Sequence, residues 1–201
     1  MGIGSSFKNE KVIDNEPLPI SYTELVKKSI CKIIINNKPS GTGFFMEIKS
    51  FKYLITCYHV ISSDLLDNII NIENWEQKKF ILKLNNNSTI FFEDLDITLI
   101  NINESNIENI SFLNYDENII NGYKQYEKIN VFTLGYPSGD ELAGGSGKVK
   151  SIINDFQFYH NISIKSGSSG SPIILFNTIK VIGIHKTEDK RLKLNVGNFI
   201  G

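Results

Sequence analysis

The feature that most constrains this chain is a succession of short apolar runs, rich in Ile, Phe, Val and Thr, interrupted by clusters of Asn, Gly, Ser and Lys. Runs of this length and composition suit strands that are buried on at least one side. In the first half they fall at residues 30–35, 43–48, 53–56, 80–84, 89–92 and 97–102. In the second half they fall at 129–134, 147–153, 156–164, 173–176, 181–184 and 196–200. Regularly spaced short strands of this kind predict an all-β chain, either a sandwich or paired barrels. A polar, poorly periodic stretch over 103–128 reads as the connection between the halves. Residues 1–20, broken by Pro17 and Pro19, read as a tail, and 21–28 as a short helix capped by Ser21 or Thr23.

Bulk properties narrow the function classes. A length of 201 residues suits one domain or two small barrels sharing a core. Lys and Arg number 21 against 22 Asp and Glu, so no basic face for nucleic acid is implied. Two cysteines, Cys31 and Cys57, are few for a disulfide-stapled secreted protein and point to a reducing compartment. No apolar run approaches the roughly 18 to 20 residues that span a bilayer, and the N-terminus lacks the apolar core of a secretory signal. An intracellular location follows, cytoplasmic or membrane-associated. Asn-x-Ser triplets beginning at Asn86, Asn103, Asn109 and Asn161 are then by-products of Asn richness rather than glycosylation sites. The opening Met1-Gly2-Ile3-Gly4-Ser5-Ser6 fits N-myristoylation at Gly2 in a eukaryotic or viral host, and equally a flexible Gly/Ser tail. One acyl chain would give weak, reversible membrane binding.

Three segments carry residues suited to chemistry. Cleaving an amide needs an activated nucleophile, a base for its proton, and donors for the developing oxyanion. Leu54-Ile55-Thr56-Cys57-Tyr58-His59 ends an apolar strand in a turn that presents His59. Asp94-Leu95-Asp96-Ile97-Thr98-Leu99-Ile100 brings a carboxylate to the edge of an apolar strand, a costly placement unless the carboxylate is paired. Asp96 abuts that strand and is the better candidate; Asp94 would be solvated. Ser166-Gly167-Ser168-Ser169-Gly170-Ser171-Pro172 is a tight loop of small residues leading into a strand. Its N–H groups can converge on one point, with those of Gly167 and Ser169 forming an oxyanion hole. His59, Asp96 and Ser169 together satisfy the requirements of a nucleophilic triad. No metal-ligand cluster or phosphate loop is visible, so no cofactor is expected.

The order His, Asp, Ser and the three local contexts resemble the chymotrypsin-like serine peptidases. The second half is most similar to bacterial glutamyl endopeptidases, through Leu134-Gly135-Tyr136-Pro137, Gly147-Lys148-Val149, Gly167 to Ile173, and Val181-Ile182-Gly183-Ile184-His185. The first half resembles high-temperature-requirement and other trypsin-like peptidases equally. The resemblance implies two antiparallel β-barrels with the active site in the cleft between them. The implied boundaries are 1–27 for tail and helix, 28–105 for the first barrel, 106–124 for the connection and 125–201 for the second barrel. It also implies protein or peptide substrates and acyl-enzyme catalysis by Ser169.

By position, His185 becomes the residue of the primary specificity pocket, with Ile164, Gly183 and Ile184 beside it. An imidazole there can donate to a Glu carboxylate or a Gln amide. Glutamyl endopeptidases usually have threonine where this chain has Ile164, so Glu, Gln and a less polar residue all remain open. Lys165 or Ser166 could compensate for the missing hydroxyl. Ser168, where the family commonly has Asp or Asn, shapes the loop. Cys57 and Cys31 read as buried free thiols, and His160 has no motif around it. A non-catalytic, protease-like binding module is the alternative.

Overall fold

The structure is a computed structural model and describes residues 18–103, 106–164 and 167–200. Gly2, Lys165 and Ser166 lie outside the described residues. The chain is mostly β. The first half contains β1 (Ile30–Ile35), β2 (Lys38–Ile48), β3 (Phe51–Thr56), β4 (Ile69–Glu73), β5 (Lys79–Lys83), β6 (Thr89–Phe92) and β7 (Ile97–Asn101). The second contains β8 (Asn130–Gly135), β9 (Ala143–Asn154), β10 (Gln157–His160), β11 (Pro172–Leu175), β12 (Val181–Asp189) and β13 (Leu194–Phe199).

The two halves solve the problem of sheet edges differently. The second half closes into a six-stranded antiparallel barrel, β10-β13-β12-β11-β8-β9, which leaves no strand edge unpaired. The first is a curled seven-stranded antiparallel sheet, β5-β4-β1-β2-β3-β7-β6, open between β5 and β6. The two-barrel architecture expected from the sequence is therefore present, with the first barrel incompletely closed.

A single apolar cluster crosses the junction. Phe44, Ile55 and Ile61 of the first half pack with Phe132, Ile174, Val181 and Ile184 of the second. A second cluster, including Phe158, Ile173, Ile182 and Phe199, fills the closed barrel. The helix α1 (Ile20–Val26) begins after Pro19, with no side-chain cap, so the expected cap at Ser21 or Thr23 is not used. Pro19 supplies the start instead, because its carbonyl accepts from Tyr22 and Thr23. Tyr22 stacks on Phe132 and meets Phe176 edge-on, docking the helix on the closed barrel.

The connection carries short 3-10 turns at Glu117–Asn121 and Tyr123–Tyr126. It also follows the molecule closely. Leu113 bridges to Met46 of the first half and Tyr115 to Val181 of the second. Buried Asp116 accepts from the Tyr126 hydroxyl at 3.0 Å, anchoring the segment in the interior.

Candidate active site

The chain leaves β3 at Thr56 and turns at once. Val60 and Ile61 both donate to the Cys57 carbonyl at 3.1 Å, and the Thr98 hydroxyl donates to Ile61 O at 2.8 Å. This turn presents His59, whose side chain is 47% exposed. Asp96 is reached from the other direction. It ends the turn after β6, donates its N–H to Glu93 O at 2.9 Å, and adopts φ +53° before β7 begins. Left-handed backbone is tolerated by Asp better than by most residues.

That turn aims the Asp96 carboxylate at His59 twice over. The His59 ring Nδ1 lies 2.9 Å from Oδ2 and 3.1 Å from Oδ1, and the His59 backbone N–H donates to Oδ1 at 2.9 Å. Burial alone would raise the Asp96 pKa. The hydrogen bonds from the His59 ring and backbone, with the charges of His59 and Lys186, overcome it and hold the group below the ordinary carboxylate value. An ionised Asp96 accepts only, so the ring proton sits on Nδ1 and Nε2 is left as the basic nitrogen.

Ser169 arrives from the second half on a loop between β10 and β11. Gly167 and Gly170 each adopt φ +90°. Their freedom is needed here: a Cβ on Gly170 would run into the Thr42 carbonyl, and one on Gly167 would lie 2.5 Å from Ser138 N. Ser171 N donates to Ser168 O at 2.9 Å, which tightens the loop, and Ser168 is buried. Gly170 N donates to His185 O at 3.0 Å, and His185 N to Ser171 O at 2.8 Å, tying the loop to β12. Thr42 N donates to Ser169 O at 2.9 Å, tying it to the first half.

Gly41 completes the approach. A Cβ there would lie 2.8 Å from both Val60 methyl carbons and 3.1 Å from Ser169 O, so its bareness lets the His59 turn and the Ser169 loop close on one another. In this conformation the Ser169 hydroxyl donates to Lys186 O at 3.2 Å. Among the described residues no hydrogen bond joins the Ser169 hydroxyl to His59. Among the described residues, neither Gly167 N nor Ser169 N donates to another group.

Beside Ser169, His185 is 5% exposed. Its Nδ1 lies 3.4 Å from Nε2 of His160, which is fully buried at the end of β10. Burial pushes the His185 pKa down to about 4, with the nearby His59 adding to the effect, and burial next to His185 pushes His160 well below its ordinary value. Both rings are neutral at physiological pH. Sequence reasoning gave His160 no role. Its signal is alternation: Phe158 and His160 are the buried residues of β10. Gly183 lies under the Phe158 ring, Ile184 is fully buried in the junction core, and Ile164 is half-buried against the closed-barrel core.

Both cysteines are buried and free, as the sequence suggested. Cys57 Sγ donates to His185 O at 3.3 Å; burial, reinforced by Asp96, pushes its pKa well up and keeps it a thiol. Cys57, His59 and Asp96 place ligand-type atoms within 4.8 Å of one another, but each is already engaged in the bonds above. Among the described residues no helix is long and apolar enough to cross a membrane.

The family profile described as "Trypsin-like peptidase domain" matches residues 41–184, more than half of the chain. The chain belongs to the trypsin-like peptidases. Solved structures of proteases share its fold. The active form of the Rv3671c protease from M. tuberculosis superposes with a TM-score of 0.70 at 16% identity, covering 100% of this chain and 90% of that one. The tobacco etch virus protease in complex with product gives 0.65 at 13%, covering 98% and 79%. A human pathogenic astrovirus serine protease gives 0.64 at 18%, covering 87% and 91%. No curated protein sequence matches significantly. This trypsin-like peptidase thus keeps the fold at identities where loops and pockets diverge, so its specificity has to be read from its own residues.

Proposed function

We propose that this peptidase is a serine endopeptidase in which Ser169 attacks the scissile carbonyl, His59 Nε2 takes its proton, and Asp96 orients His59. The observation that carries the reading is the double grip of Asp96 on His59, through ring and backbone N–H together. It fixes the tautomer that leaves Nε2 basic. It also stabilises the imidazolium formed when the Ser169 proton transfers. The N–H groups of Gly167 and Ser169 would receive the oxyanion of the tetrahedral intermediate. His59 then returns the proton to the leaving amine, and water repeats the sequence to release the acyl group.

The primary pocket is read from the His160–His185 pair. A neutral imidazole has one donor and one acceptor nitrogen. Among the described residues His160 Nδ1 is buried without a hydrogen-bond partner. An unpaired acceptor is better tolerated than an unpaired donor, so the His160 proton belongs on Nε2, where it is shared with His185 Nδ1. That leaves His185 Nε2–H as the donor offered to substrate. An uncharged donor matches an amide oxygen without leaving a buried carboxylate uncompensated. The half-buried Ile164 adds apolar wall and no charge. Gln is therefore preferred over Glu before the scissile bond.

A fluorophosphonate probe tests the nucleophile. Wild-type protein is expected to label, and Ser169→Ala to remain unlabelled. A folded wild-type protein that fails to label is a binding module instead. A peptide-library profile with His185→Ala alongside tests the pocket; a wild-type profile without preference for Gln removes His185 from it.

A further inference from the structure

The strand that carries His185 is interrupted one residue later. In the β12–β13 pairing His185 faces Gly197 and Thr187 faces Val196, leaving Lys186 as the extra, unpaired residue of a β-bulge. Bulges bend a strand locally and re-aim a side chain, and they recur beside active sites. Here the bulge has two results. The Lys186 carbonyl is free of the ladder and accepts the Ser169 hydroxyl at 3.2 Å. The Lys186 side chain enters a cleft of about 470 Å³ lined by Tyr58, His59, Glu93, Asp96 and Thr187.

Lys186 has no ion-pair partner among the described residues, although Glu93 lines the same cleft. Glu93 is exposed while Lys186 is half-buried. The ammonium is thus the less screened of the two charges, and its field reaches the interior, where it adds to the His59 bonds that hold Asp96 down and opposes the burial that pushes Cys57 up. An unpaired, partly desolvated cation at the wall of a substrate cleft is suited to meet an anion.

The geometry of an extended peptide says which substrate residue would supply it. Successive side chains of a strand point to opposite sides. On β12 His185 is buried, while Lys186, at the bulge, is half-buried and lines the cleft. A substrate running along β12, with its residue before the scissile bond (P1) on His185, directs the preceding residue (P2) toward His59, Tyr58 and Lys186. We propose that this cleft is a second specificity site, in which Lys186 pairs with the carboxylate of a Glu or Asp at P2. The proposal rests on the peptidase reading above and adds a recognition element that is independent of the P1 pocket.

The test compares peptides differing only at P2, carrying Glu, the isosteric Gln, or Lys, with P1 fixed as the residue the library profile selects. Wild-type protein should cleave the P2 Glu peptide with kcat/KM on the order of tenfold above the Gln peptide, and the Lys peptide more slowly still. The Glu-to-Gln ratio should shrink as NaCl rises from about 0.05 to 0.5 M. Lys186→Met should bring the ratio close to one, and Lys186→Glu should make the Lys peptide the better substrate. Equal cleavage of all three by wild-type protein overturns the proposal, as does a ratio that survives Lys186→Met. Protein that neither labels with fluorophosphonate nor cleaves any peptide overturns the peptidase reading itself, a result distinct from cleavage without P2 preference.

Discussion

The backbone N–H of Thr42 donates to the carbonyl of Ser169 at 2.9 Å, so the first half of the molecule directly holds the proposed nucleophile of the second. Buried Thr42 does more than this. Its hydroxyl accepts from Tyr136 N at 2.9 Å and donates to Gly167 O at 3.3 Å, and its carbonyl accepts from the Thr56 hydroxyl at 2.8 Å. Thr42→Val keeps the shape and removes the hydroxyl, stranding the buried Tyr136 N–H. The expected cost is about 1–3 kcal/mol in chemical denaturation. Fluorophosphonate labelling should slow as well, because Gly167 loses its tether. A labelling rate unchanged in a destabilised variant would confine Thr42 to a structural role.

Asp96→Asn tests the tautomer argument. The amide can no longer accept equally from ring and backbone, and its NH2 group favours the wrong imidazole tautomer. Labelling and peptide cleavage should fall by roughly 10³- to 10⁴-fold, with the melting temperature changed far less than by a cavity in the core. A variant retaining a tenth of wild-type activity would contradict the role given to Asp96.

The histidine pair predicts acid sensitivity. His185 titrates at about 4 in the folded protein against an ordinary value of 6.5. The unfolded chain therefore binds the proton first as pH falls. Stability declines between about 6.5 and 4, and by the lower limit His185 alone costs about 3 kcal/mol relative to pH 7. Burial also pushes His160 well below its ordinary value, which acts in the same direction. Denaturation midpoints at pH 7 and pH 5 should differ clearly in wild-type protein and less in His185→Gln. An equal difference in both proteins would place the acid sensitivity elsewhere.

Two glycines of positive φ should behave differently. Gly122 has φ +99° and ψ +154°, and a Cβ added there would meet nothing within 4 Å, so Gly122→Ala carries only backbone strain, about 1–3 kcal/mol. At Gly170, with φ +90°, an added Cβ would run into the Thr42 carbonyl and lie 2.5 Å from Thr56 Oγ1. Gly170→Ala should therefore lose labelling and several times more stability. Comparable melting temperatures for the two variants would contradict this close packing.

What could be read in the sequence, and what could not, divides along physical lines. The residues around His59, Asp96 and Ser169 were legible because a strand end, a carboxylate beside an apolar strand and a small-residue loop are local patterns. Strand β4 was missed because Asn71 interrupts its apolar run, and its pairing with β1 and β5 decides its structure instead. The early part of β9 was missed because Gly144 and Gly145 have poor strand propensity. Glycine is required in β9 nonetheless: a Cβ on Gly145 or Gly147 would press on the backbone of Ser163 or Ile162. The partnership of His160 with His185, 25 residues apart, and the bulge at Lys186 depend on strand register, which single-sequence patterns do not carry.

The division of the site between the halves has a consequence for the life of the chain. His59 and Asp96 belong to the open sheet, Ser169 and His185 to the closed barrel, and Asn198 of the barrel reaches back to the Leu95 carbonyl beside Asp96. On the proposed mechanism neither half contains a working set of groups. During synthesis the portion that emerges first lacks Ser169, and on that mechanism it cannot cut the chain still being made. Hydrolysis would wait for the last strands to arrive and dock, so the architecture would act as its own safety catch.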